Sequence, residues 1–180
     1  MTTDLSHQAV INTERFALRP LAMSDKGLLE IHLGDQRVAG MTRSVPHPLP
    51  PDYIAGRIER ANEDDRDNEY WVIDGSAFSH AEVMGVVKMT KMDRNQSELR
   101  YWVAPAFWNT GIATLAVDAI LTANPQGACD IYAEVFQDNP TSARILTSAG
   151  FAYLGDAETF CVARNAVIPT WTYARKMGAA

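Results

Sequence analysis

Two cysteines in 180 residues, Cys129 and Cys161, are too few and too far apart to staple a small secreted fold or to build a zinc site. They are expected to be reduced, mostly buried thiols. The four histidines, His7, His32, His47 and His80, show no ligand spacing, so no metal is expected. No apolar run approaches the length that crosses a bilayer, and the opening from Met1 to His7 lacks the charged and apolar regions of a secretion signal. A cytoplasmic protein without a membrane partner is the expectation. Basic residues are also short. Sixteen Lys and Arg against 22 Asp and Glu leave a net charge of −6, which argues against nucleic acid, because a phosphate backbone demands clustered cations. The same balance does not repel a cationic amine. Internal repeats and low-complexity linkers are missing too. A chain of 180 residues suits one domain, and a domain of this size buries about 70% of the surface its unfolded form exposes. The expected organisation is a flexible N-terminus over 1–12 and a single domain over 13–178.

What is present reads as alternating strands and helices. Phe16 to Leu18 forms a short strand, and Asp25 to Leu33 a helix with Ser24 as its cap. Four prolines after Arg43 force a loop that carries His47, and Tyr53 to Ala61 is a second helix. The acidic run from Glu63 to Glu69 is a solvated turn. Tyr70 to Ile73, Val83 to Thr90 and Glu98 to Ala104 then form an antiparallel meander. Near the end, Phe151 to Leu154, Thr159 to Ala163 and Trp171 to Arg175 are strand-like. An α/β fold results, with a mixed, mostly antiparallel central sheet flanked by helices.

Two blocks between these regions carry the chemistry. In the first, a strand ends at Pro105, and Ile112, Leu115, Ala116, Ala119 and Ile120 recur at helical spacing until Asn124 and Pro125. The loop from Trp108 to Thr114 therefore opens a helix, where unpaired amides and the positive end of the helix dipole make a seat for phosphate. It lacks the full glycine pattern of a dinucleotide site and the Gly-Lys-Ser/Thr of a P-loop, so Gly111 as an ordinary turn glycine is an equal reading. In the second block, a strand from Asp130 to Phe136 runs to Asn139, then a helix from Pro140 to Ala149, closed by Gly150.

Taken in order, the strand Thr13 to Leu21, Glu98 to Pro105, Trp108 to Ala116, Asn139 to Ser142 and Ala149 to Phe151 resemble the GNAT superfamily of acetyl-coenzyme A-dependent N-acetyltransferases. Within it, the chain is similar to the ribosomal-protein N-terminal acetyltransferases of the RimJ/RimL type. The resemblance implies the GNAT fold, acetyl-coenzyme A as cosubstrate without a metal, direct attack by a primary amine, and the homodimers common in the family. It places the pyrophosphate on the amides of Trp108, Asn109, Thr110, Gly111, Ile112 and Ala113, with the Thr114 hydroxyl beside them. Trp102 and Val103 present main-chain groups to the pantetheine arm and the thioester oxygen. Asn139 binds the arm by its side chain, or serves only as a helix cap. Many family members have a tyrosine where this chain has Leu146, and the ribosomal-protein branch instead puts a serine at Ser142, which would protonate the leaving thiolate or merely bond its own backbone.

Glu98 is the expected base, with a solvent-facing strand carboxylate as the alternative. Strand alternation puts Glu98, Arg100 and Trp102 on one face, so Arg100 can pair with Glu98. Arg100 and His47 are the expected contacts to the acceptor. Arg100 and Asn109 stand where the branch usually has glycine. Asn tolerates a left-handed backbone, so the loop can still form, whereas Arg100 adds bulk at the amine site and loosens the inference of acceptor class. A protein N-terminus leads as acceptor, a small-molecule amine follows, and a non-catalytic coenzyme A-binding regulatory module is the reading from another class.

Overall fold

Alternating residues in the middle strands feed two separate cores, and this alternation sets the layers. In the computed structural model, which describes residues 8–63 and 67–178, Trp71 and Ile73 pack to one side of the sheet while Val72 packs to the other. His7 and residues 64–66 of the acidic run lie outside the described residues.

The strands are β1 (Ile11–Asn12), β2 (Ala17–Pro20), β3 (Asn68–Asp74), β4 (Gly85–Met92), β5 (Gln96–Val103), β6 (Asp130–Phe136), β7 (Ala152–Cys161) and β8 (Ala166–Lys176). They form one eight-stranded sheet in the order β1-β2-β3-β4-β5-β6-β8-β7. Every neighbouring pair is antiparallel except β5 and β6. Helices α1 (Lys26–Gly34), α2 (Gln36–Ala39) and α3 (Tyr53–Ala61) cover one face with the Val72 and Val86 core. The other face carries α4 (Ile112–Ala123) and α5 (Pro140–Ser148) over Trp71, Ile73 and Leu99. Helix α3 shows why the layers hold: Ile54, Ile58 and Ala61 recur at i, i+4 and i+7 and are all buried. Burial of each isoleucine contributes about 1.5–3 kcal/mol.

Several expectations need correction. Ser24 caps nothing. A 3-10 turn over Met23–Asp25 precedes α1, and the Asp25 carboxylate accepts from the Ala22 amide at 2.9 Å and from Arg19 at 2.7 and 2.9 Å. Residues 8–12, placed in a flexible N-terminus by sequence, are tied down: β1 pairs with β2, and Trp71 Nε1 donates to the Ala9 carbonyl at 3.0 Å. The separate strands expected at Phe151 to Leu154 and Thr159 to Ala163 are one strand, β7. Its pairing with β8 carries it through Gly155, where the register shifts after Tyr153. Cys161 is buried as expected, but Cys129 is exposed. Among the described residues, no helix is long and apolar enough to cross a membrane.

Candidate active site

The parallel pair β5 and β6 is short. Only Gln96, Ser97 and Glu98 pair with Asp130, Ile131 and Tyr132. Beyond them β5 stays on β4 through Val103, and β6 stays on β8 through Phe136, so the sheet opens into a wedge. Main-chain direction along the open edge follows from the ladder. Ala104 donates to the Met84 carbonyl at 2.9 Å, and Trp102 O crowds Gly85 so closely that a Cβ there would sit 2.2 Å from it. Alternation then turns the N–H and C=O of Tyr101 and Val103 into the wedge and those of Trp102 toward β4. Of the two residues expected to present main-chain groups, Val103 does so; Trp102 offers its side chain instead. A cavity of about 720 Å³ passes through the wedge and reaches both helical layers.

At one end of the cavity lies the loop before α4. Asn109 takes φ 59° and Gly111 φ 80°, so the left-handed conformation tolerated by asparagine is adopted here. Among the described residues, the amides of 109–114 find no main-chain acceptor in this turn. Trp108, Asn109, Thr110, Gly111, Ile112, Ala113 and Thr114 all line the cavity. Two side chains fix the loop from behind. Trp108 Nε1 donates to the Val103 carbonyl at 2.7 Å, and Arg15 Nη1 donates to the Thr110 carbonyl at 2.8 Å. The Thr110 hydroxyl donates to Phe107 O. With a helix dipole behind them, such free donors are suited to receive an anion.

On the α4 and α5 face, Asn139 caps α5 by accepting from the Ser142 amide at 3.3 Å. Ser142 Oγ in turn lies 2.8 Å from the Tyr101 hydroxyl. Burial pushes the Tyr101 phenol up to about 12, against a smaller opposing effect of the Ser142 hydrogen bond, so the group stays a proton donor at neutral pH. Asn139, Ser142, Tyr101 and Leu146 share the cavity wall. Sequence reasoning missed Tyr101. The available signal was alternation, which turns it away from Glu98 and Arg100 and toward the α5 layer.

The opposite face holds the charges. Glu98 accepts from Arg100 Nε at 2.9 Å and also from its Nη2, and Arg43 Nη2 stands 3.8 Å from the second carboxylate oxygen. Glu98 itself is not among the cavity-lining residues, whereas Arg100 is. The expected base is thus held by two arginines that themselves line the cavity. Glu134 on β6, overlooked in the sequence, is the one carboxylate lining the cavity among the described residues. Register puts Glu98 opposite Tyr132, so Glu134 shares the face of Glu98 and Arg100. His47 stays in the proline-rich loop and does not line the cavity, contrary to its expected substrate contact.

A row of side chains crosses the strands on this face: Tyr70 on β3 is opposite Lys88 on β4, which is opposite Arg100 on β5. Lys88 Nζ lies 5.3 Å from the Tyr70 ring centroid and the Arg57 guanidinium 5.6 Å from it. Burial, aided by the charges of Arg57 and Arg100, lowers the Lys88 ammonium, with Tyr70 opposing. Burial alone would raise Tyr70, but Arg57 and Lys88 outweigh it and hold the phenol below its usual value.

Comparison with known proteins agrees with this geometry. The acetyltransferase (GNAT) domain family matches residues 15–152. No curated protein matches the sequence. Among solved structures, the microcin C7 self-immunity acetyltransferase MccE, in complex with acetyl-coenzyme A and AMP, superposes with a TM-score of 0.77 at 14% identity, covering 92% of this chain and 94% of that one. Spermidine N-acetyltransferase from Vibrio cholerae, in complex with coenzyme A and spermine, gives 0.76 at 15% identity over 91% and 96%. Ribosomal-protein-S5-alanine acetyltransferase from Vibrio fischeri gives 0.75 at 17% identity over 94% and 97%.

Proposed function

We propose, from the premise that this chain belongs to the GNAT acetyltransferase family, that the wedge between β5 and β6 is where an acetyl group passes from acetyl-coenzyme A to a primary amine. The enzyme is a GNAT-type N-acetyltransferase acting with acetyl-coenzyme A on amines. The observation that carries the assignment of the site is the wedge itself, with free amides at one end and the Tyr101–Ser142 pair on its wall.

In this reading the amides of 109–113, with the Thr114 hydroxyl, hold the pyrophosphate. The open edge of β5 and the Asn139 side chain align the pantetheine arm. Val103 N–H points to where the thioester oxygen gains charge, and a fixed donor there lowers the barrier without reorganising. The amine enters from the α1–α3 face. Its nitrogen attacks the carbonyl carbon, the C–N bond forms, the C–S bond breaks, and the nitrogen loses a proton. Glu134 receives that proton, directly or through one water. A free α-amino group has a pKa of about 7.7–8.0, so the demand on the base is small. Ser142 Oγ–H gives its proton to the thiolate while the Tyr101 hydroxyl passes its own to Ser142 Oγ, and solvent reprotonates the tyrosine once coenzyme A has left. Glu98 acts as a positioning residue that orients Arg100.

A protein N-terminal α-amino group of the RimJ/RimL kind is the leading acceptor, and a small-molecule amine is the rival. A homodimer is proposed because family members often pair, and a cytoplasmic setting is the accompanying expectation from the sequence. Coenzyme A release, followed with a thiol reagent across peptide N-termini and small amines, tests the assignment. Acceptor-dependent release that collapses in Ser142→Ala supports it. Coenzyme A binding with no release for any acceptor would make the protein a binding module instead.

A further inference from the structure

The acceptor side of the cavity is built of cations. Arg43, Arg57, Lys88 and Arg100 all line it, and Glu134 is the one carboxylate doing so among the described residues. Arg100 has Glu98 at hydrogen-bond distance, and Arg43 reaches the same carboxylate at 3.8 Å. Among the described residues Arg57 and Lys88 make no ion pair with a carboxylate; both face the Tyr70 ring, and Arg57 also lies over the Tyr53 ring and donates to its hydroxyl at 3.2 Å. Lys88 and Arg100 are directly opposite across β4 and β5, where like charges repel. Burying cations costs free energy unless an anion compensates them. Two neutral phenols, Tyr53 and Tyr70, compensate such charges only in part.

Resting on the acetyltransfer reading above, we infer that the acceptor is an amine carrying its own oxyanion, a carboxylate or a phosphoryl group, which Arg57, Lys88 and Arg100 receive while Glu134 meets the ammonium end. A cationic rim with one acidic group suits a bipolar molecule. The same set repels a polyamine, whose several ammonium groups would face at least three fixed positive charges. Arg100, standing where the resembling branch has glycine, then supplies one of the anion contacts. The depressed Lys88 ammonium is consistent with a charge waiting for its counter-ion.

The test compares three probes, L-aspartate, O-phosphoethanolamine and spermidine, on the coenzyme A-loaded protein by calorimetry and on the acetyl-coenzyme A reaction by thiol release. Peptides beginning Ala-Glu and Ala-Lys form a fourth arm. The expected result is binding and turnover favouring the anionic probe of each comparison at least tenfold. Aspartate against phosphoethanolamine separates carboxylate from phosphoryl recognition. Lys88→Met should cut the preference about tenfold and Lys88→Arg should restore it, with coenzyme A affinity unchanged in both. Preference for spermidine or Ala-Lys, or no binding of any anionic probe, would overturn the inference. Anion-selective binding lost in Lys88→Met but without turnover would uphold it while refuting acetyl transfer.

Discussion

The Tyr101 hydroxyl lies 2.8 Å from Ser142 Oγ, joining an interior strand to the first turn of α5. When the phenol donates to the serine oxygen, the serine proton is free to face the wedge. Ser142→Ala should then lower kcat about 100-fold, the scale of a lost general acid. Tyr101→Phe should lower it about tenfold, because it removes only the support. Steady-state thiol release, with coenzyme A affinity measured in parallel, checks both, and weakened binding at constant kcat would argue for a purely structural pair.

Tyr101 also predicts behaviour in alkali. Its folded value of about 12 lies above the ordinary 10 of tyrosine, so the stabilisation is complete below pH 10, where both states are protonated. It is lost as pH rises from 10 to 12, where the unfolded phenol ionises first. A two-unit difference corresponds to roughly 2–3 kcal/mol at most. Urea unfolding at pH 9 and pH 11 should show a steeper fall for the wild type than for Tyr101→Phe; parallel falls would refute the assignment.

The two glutamates on the acceptor face should separate cleanly. Glu134→Gln is expected to lower kcat about 100-fold. Glu98→Gln should leave kcat within about threefold and raise the acceptor KM through a loosened Arg100. Reversed effects would return the role of base to Glu98.

Gly111 occupies φ 80° at the start of α4. Gly111→Val places a branched side chain in a conformation costing about 1–2 kcal/mol, which should weaken coenzyme A binding about tenfold. Asn109→Gly, at φ 59°, should keep affinity unchanged or improve it. Equal losses in both variants would mean that the side chain of Asn109 binds the ligand.

Local signals carried much of the fold. Helix α3 and strand β6 have the bounds expected from periodicity and flanking residues, and Asn109 and Gly111 announced the loop before α4. Features set by distant partners were harder to read. Strand β1 is two residues long and exists through its pairing with β2. Helix α2 has four residues, and its signal was Asp35, whose carboxylate accepts from the Arg37 amide at 2.9 Å. Gly155 and its neighbours are weak strand formers that β8 holds extended. At the site, the loop before α4 and its left-handed residues were local and legible, whereas Tyr101 and Glu134 gain meaning only from which strand faces which layer. The charge balance was silent on placement. An acidic chain of net charge −6 concentrates cations in its central cavity, because total charge says nothing about where α3, β4 and β5 bring their basic residues together.

Among the described residues, three parallel rungs are the whole strand pairing between the β1–β5 half of the sheet and the β6–β8 half. Beyond those rungs β5 and β6 part, and the cavity of about 720 Å³ lies between them. A cosubstrate bound there would touch both halves at once, so adding it should raise the melting temperature in step with its concentration.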